Sequence, residues 1–128
     1  MARMPTMFIP HGGGPCFFMD WNPPETWDRH REFLAKVPAS LPQTPKALLV
    51  ISGHWEERQF TVQKNTAPPL LFDYSGFPPD TYKLTWPAPG DPALSDKVQT
   101  LIEAAGFPCA VDSTRGYDHG VFIPLKVS

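Results

Sequence analysis

Seventeen of the 128 residues are proline, well over twice the usual share of about 5%. They form no repeat; they fall among aromatic residues, in "NPPETW", "FDYSGFPPDTY" and "TWPAPGDP". Proline fixes φ and withholds an N–H, so such stretches cannot run as long helices or central strands. A disordered tail would lack the interleaved Trp, Tyr and Phe, and no PxxP tract stands apart as a polyproline ligand. These stretches read as stiff, ordered loops packed by their own aromatics.

The remaining composition narrows the class. Apolar residues make up 41% and the net charge is −2, a globular balance, and a chain of this length is one domain able to bury roughly two-thirds of its unfolded surface. A pI of about 6.0 leaves no clustered basic face for nucleic acid. The longest aliphatic run, Ala47 to Ile51, is too short to span a bilayer, and the first residues lack an apolar segment of signal-peptide length. Cys16 and Cys109 stand far apart with no CxxC, which argues against a disulfide framework or zinc knuckle. The expectation is a cytoplasmic protein with neither nucleic-acid nor membrane partners.

Along the chain, "PTMFIP" predicts a short buried strand running into three glycines. "PPETWDRHREFLAKVP" predicts a helix starting at its prolines and stopping at Pro38, with Trp27, Leu34 and Val37 near helical spacing. "KALLVISGHW" has the continuous apolar run of a strand covered on both faces. "QFTVQK" and "DTYKLTW" alternate like half-exposed strands. A second helix has Asp91 as cap, Pro92 first, an apolar face of Leu94, Val98, Leu101, Ile102 and Ala105, and Gly106 at its end. "CAVD" predicts another strand. The order argues for an α/β fold, a central, mostly parallel sheet with helices on both faces.

Three of the four histidines share a context. His11, His54 and His119 each stand beside glycine at or after a predicted strand end, where open α/β sheets bind ligands. Imidazole is a common ligand for iron, zinc and copper. Parallel strands about 4.8 Å apart would bring His11 and His54 to one ion, and the stretch between them is long enough for a crossover of about 30 or more residues. The glycines after His11 would then let an ion approach the main chain. For each histidine the alternative is a hydrogen-bonded loop residue. His30, between Arg29 and Arg31, reads as solvated surface.

"HGGG" is also the oxyanion-hole sequence of lipases and esterases, which work with a GxSxG elbow. Ser52 has Val50 where the first glycine belongs and Ser75 has Asp73, so an esterase-like α/β fragment survives only with a nucleophile from outside the chain. The dinucleotide fingerprint fails as well, with Phe17 at its third glycine position.

The ordered set "HGGGP", "SGHW", "DYSGFPPDTYKLTWPAPGDPAL" and "DSTRGYDHGVFIPL" closely resembles the LigB-type class III extradiol ring-cleavage dioxygenases, in the 4,5-DOPA dioxygenase branch. The resemblance covers nearly all of residues 1–128. It implies a non-haem Fe(II) enzyme, often found with Zn(II) in the same site, that opens a catechol ring beside its hydroxyls using O₂. His11 and His54 match two metal ligands of that family. His119 matches a catalytic histidine near the substrate, suited to hold or shuttle a catechol proton. Tyr74, Phe77, Tyr82 and Trp86 would wall the site, with Tyr74, Phe77 and Asp118 the candidate substrate contacts; core packing is the alternative for each aromatic. Asp118 would either orient His119 or cap the element that follows.

The family continues for roughly as long again after "DHG…PL", and that portion supplies a third histidine ligand and a further acid-base histidine. The chain is therefore expected to be the N-terminal portion of one catalytic domain, its sheet cut short at the C-terminal end. An exposed sheet edge would favour self-association, so a homo-oligomer is among the expectations. A non-catalytic remnant that keeps the fold and associates with a full-length copy is the competing reading.

Overall fold

The computed structural model describes residues 3–128. Its elements run in the order helix α1 (Asp28–Ser40), strand β1 (Phe60–Gln63), helix α2 (Pro92–Ala104), strand β2 (Cys109–Asp112) and helix α3 (His119–Val127), with 3₁₀ turns at Cys16–Phe18 and Pro79–Lys83. The fold is α/β and its sheet is parallel.

β1 and β2 pair in parallel with Phe60 opposite Cys109 and Gln63 opposite Asp112. Helix α2 supplies the crossover between them. Its start follows from local chemistry: the Asp91 carboxylate accepts from the Leu94 N–H at 3.0 Å, and Pro92 occupies a first-turn position where a missing N–H is harmless. Ser95 Oγ donates to the Gln63 carbonyl at 2.6 Å, which fixes the helix onto β1. The predicted apolar face is only half covered. Leu94, Val98 and Ile102 are partly buried, whereas Leu101 is exposed, because a two-strand sheet is narrower than the helix face.

Helix α1 starts later than the prolines suggest, after turns in which the Thr26 N–H donates to the Pro23 carbonyl and the Asp28 N–H to that of Glu25. It runs past Pro38 to Ser40. In the last turn a proline removes one backbone bond without clashing with a further turn, and the Leu41 N–H closes the end on the Pro38 carbonyl. The principal core lies between α1 and α3, elements far apart along the chain: Leu34 packs with Phe122 and Ile123, joined by Cys16 and Phe17.

Three predicted strands are absent among the described residues. "PTMFIP" and "KALLVISGHW" enter no ladder. Phe8 is 96% and Ile51 93% exposed, and Leu48, Leu49 and Val50 also face solvent. The apolar run has the composition of a covered strand, but no described strand lies beside it. "DTYKLTW" instead opens as the 3₁₀ turn, in which Thr81 is fully buried and returns both its N–H and its hydroxyl to the Pro78 carbonyl; a side chain that satisfies the backbone locally competes with a ladder.

Beyond β2 the chain makes one more parallel pairing. The Leu71 N–H donates to the Tyr117 carbonyl at 2.7 Å, and the Tyr117 N–H to the Pro69 carbonyl at 2.8 Å. That pairing lays residues 70–73 alongside the start of α3.

Candidate metal centre

His11 precedes a turn fixed by its glycines. Gly12 and Gly14 have φ of +77° and +53°, a region that L side chains rarely adopt. A Cβ on Gly12 would fall 2.5 Å from Cys16 Sγ, and one on Gly14 would fall 2.7 Å from Phe77 Cζ. The glycine faces are thus filled by protein side chains, and the need for three glycines comes from turning and packing rather than from an ion against the main chain. His30, expected at the solvated surface, is half-buried: its Nε2 donates to the Pro10 carbonyl at 2.6 Å and its ring meets Phe17 edge-on. Helix α1 therefore holds the residue just before His11.

His54 lies in the loop after the apolar run, and His119 is the first residue of α3. From these three separate segments the imidazoles converge, with one ligand atom from each all within 4.8 Å of one another. Nε2 of His11 stands 2.8 Å from Nε2 of His54. His54 and His119 are 4.1 Å apart by ring centroid and tilted by 37°.

The donor set fits a transition metal. Zn–N bonds of about 2.0–2.1 Å in tetrahedral geometry would place two ligand nitrogens about 3.3 Å apart, so a small outward movement of the His11–His54 pair would admit an ion. Imidazole suits zinc and iron alike. His11 titrates below the ordinary imidazole range, chiefly because it is partly buried and further because His54 and His119 lie beside it, with Asp118 and Asp73 opposing; it is held in the neutral form that ligates. His54 is exposed, leaving one side of the cluster open to a small molecule.

His119 is oriented by Asp73, the first residue of the "DYSGFPPDTY" stretch but not one of the candidate site residues named above. Asp73 Oδ1 accepts from the His119 backbone N–H at 2.9 Å and from its Nδ1 at 2.7 Å. Burial alone would raise the Asp73 carboxyl, but the bonds from His119 outweigh it and the group titrates below its usual value. With Nδ1 engaged, Nε2 is the nitrogen that His119 has to offer. The hints in the sequence are a carboxylate at the end of the apolar "PLLF" and its place at the head of "DYSGFPPDTY"; the 70-to-117 pairing is what carries it to His119.

Asp118 neither orients His119 nor caps α3 with its side chain. It is 2% exposed, and its two oxygens accept from Ser52 Oγ at 2.8 Å and from Arg115 Nη2 at 3.0 Å. Ser52 has this carboxylate, and no imidazole, as its side-chain partner, which removes the serine-nucleophile arrangement an esterase would need.

Tyr74 places its ring edge-on to His119 at 5.8 Å, while its hydroxyl donates to the Thr81 carbonyl at 2.5 Å. Burial pushes that hydroxyl up to about 12, with Tyr82 and Asp73 adding and the Thr81 bond opposing. Phe77 packs on Tyr74 and Gly14. Tyr82 backs Tyr74, whereas Trp86 packs against Tyr117. Neither Glu57 nor Asp112 belongs to the cluster: Glu57 accepts from Trp55 Nε1, and Asp112 closes the turn at Thr114 and Arg115. No helix among the described residues is long and apolar enough to cross a membrane.

A family model described as the catalytic LigB subunit of aromatic ring-opening dioxygenase matches residues 5–127. The 4,5-DOPA dioxygenase extradiol of Beta vulgaris is 37% identical over 128 residues, spanning 95% of this chain and 44% of the relative. Dioxygenase tasH of Hapsidospora irregularis is 33% identical over 138 residues, spanning 99% and 40%. The 4,5-DOPA dioxygenase extradiol of Escherichia coli K12 is 34% identical over 120 residues, spanning 93% and 41%. The chain covers less than half the length of each of these curated relatives.

Proposed function

The chain belongs to the family of catalytic LigB subunits of aromatic ring-opening dioxygenases, and from that premise we propose that it serves in the extradiol opening of a catechol ring by O₂. The carrying observation is the convergence of His11, His54 and His119, one ligand atom each within 4.8 Å. Two relatives carry the name 4,5-DOPA dioxygenase extradiol, which supports a DOPA-like catechol as the substrate class.

In this reading His11 and His54 hold the metal, Fe(II) or Zn(II) in the same ligands, through Nε2. Fe(II) held there would supply Lewis acidity and the redox chemistry that O₂ requires. The protein's own share is positioning and proton handling. His119, with Nδ1–H committed to Asp73, receives the catechol hydroxyl proton at Nε2, and the Asp73 carboxylate stabilises the resulting imidazolium. Tyr74 and Phe77 offer ring faces and edges to a planar aromatic substrate. Asp118, with both oxygens occupied, acts from beneath the site.

The test is metal stoichiometry on the purified chain after anaerobic loading with Fe(II) or Zn(II), followed by oxygen uptake with catechols. The expected result is about one metal per chain, abolished in the His11→Ala, His54→Ala double variant, with uptake dependent on Fe(II). A chain that takes up no metal, or binds it equally in the double variant, overturns the reading for these residues. The exposed run Leu48–Ile51 favours a second reading, a chain that keeps the fold and associates with a full-length copy. Co-sedimentation of the chain with a full-length relative, together with no metal uptake by the chain alone, would support it.

A further inference from the structure

His54 is the most exposed of the three imidazoles, yet its ring is placed within hydrogen-bond distance of His11. The cause lies underneath. We propose that Ser52, Asp118, Arg115 and Gly120 form a clamp that positions His54, and that this clamp, rather than bonds made by the imidazole itself, sets the affinity of the centre for a metal; the second half of this statement rests on the proposed metal function.

The loop around His54 is fastened at both ends to the entrance of α3. On one side Ser52 Oγ donates to Asp118 at 2.8 Å and accepts from the His54 backbone N–H at 3.1 Å. On the other side the Trp55 ring lies under the Arg115 guanidinium, 4.7 Å from its centroid, and that same guanidinium donates to the second oxygen of Asp118. The Trp55 backbone N–H returns to the Ser52 carbonyl, closing the loop on itself. The two arms thus end on one buried carboxylate, with His54 between them. A carboxylate that is 2% exposed and holds two charge-assisted bonds is costly to rearrange, since either oxygen left unpaired forfeits its compensation for burial.

Gly120 sets how closely the ring can lie on α3. A Cβ there would meet His54 Cδ2 at 2.8 Å, with Asp118 Oδ1 and Ser52 Oγ each at 3.1 Å. The imidazole therefore rests against a position that admits only glycine without displacement. Two short motifs, "SGHW" and "RGYDHG", share this explanation: they are the two halves of the clamp, 66 residues apart at the Ser52–Asp118 bond.

The experiment uses the whole chain and two readouts. In the metal-free protein, NMR reads the nuclear Overhauser effect between His54 Hδ2 and the Gly120 Hα protons. Zn(II) affinity is read separately, by chelator competition at a temperature where every variant is folded. The Overhauser effect is expected in the native chain and in Ser52→Thr, which keeps the hydroxyl. In Ser52→Ala it is expected to vanish. Zn(II) affinity should fall about 10–100-fold in Ser52→Ala and in Gly120→Ala, as for other residues that orient metal ligands, and recover in Ser52→Thr. A Ser52→Ala chain that still shows the Overhauser effect overturns the clamp. Zinc affinity within twofold of native, in a variant whose imidazole has moved away from residue 120, overturns the link between clamp and metal. A native chain that shows the Overhauser effect but binds no zinc leaves the clamp standing and counts against the metal reading alone.

Discussion

At the scale of single residues, Asp73 and Tyr74 lead to the sharpest expectations. Asp73→Ala removes the acceptor for two donors of the buried His119, and an unsatisfied buried group costs about 1–3 kcal/mol, measurable by urea denaturation. The same variant should release the tautomer: imidazole ¹⁵N shifts should report Nδ1–H at His119 in the native chain and a mixture in the variant. A native chain already showing a mixture would defeat the assigned orientation. Tyr74 gives the pH dependence. Its hydroxyl is raised from 10.0 to about 12, so its contribution to stability is complete below pH 10 and disappears as pH rises through 12. Ultraviolet titration of native chain against Tyr74→Phe should assign that late ionisation, and the alkaline fall in stability should be smaller in the variant. The three clustered histidines are legible in the sequence because each stands beside glycine in its own motif, a purely local signal. Asp73 is not, since its partner lies 46 residues away and only the pairing of Leu70 with Tyr117 joins them.

At the scale of elements, local chemistry is legible and partnership is not. Helix α2 begins at its Asp91–Pro92 signal and ends just before Gly106, all features of adjacent residues. Asp91→Ala should therefore cost about 1 kcal/mol, read from the denaturation midpoint, with Asp91→Asn close to native. Strand signals are a different matter. The run Ala47–Ile51 has the composition of a strand covered on both faces, but pairing depends on a neighbour that no local pattern encodes, and the side chains of Leu48–Ile51 stand in solvent. "DTYKLTW" departs from its alternating pattern for the opposite reason, with Thr81 satisfying its backbone within the turn. The joint between α1 and α3 gives the test of the core. Leu34 is fully buried against Phe122 and Ile123, so Leu34→Ala should cost about 2–5 kcal/mol. A cost under about 1 kcal/mol, below the range for a filled core site, would show that the two helices do not form the core described.

At the scale of the whole molecule, the uncovered apolar segments lead to an expectation about association. Phe8 and Ile51 are almost wholly exposed, with Leu48, Leu49 and Val50 beside Ile51, and contiguous apolar patches of this kind mark surfaces that associate. Sedimentation velocity should show concentration-dependent association that Ile51→Lys weakens; a monomer at every concentration would count against it. The layout of the core also bears on how the protein is made. Leu34 leaves the ribosome well before Phe122, and at about 5–20 residues per second the interval is on the order of ten seconds. Through that interval the 13 residues of α1 have only the Cys16 and Phe17 side of the core to join, and a helix of that length is marginal in water with so little packing. The nascent chain therefore carries an unfinished amino-terminal third until α3 emerges, an interval in which a chaperone would find its apolar face uncovered.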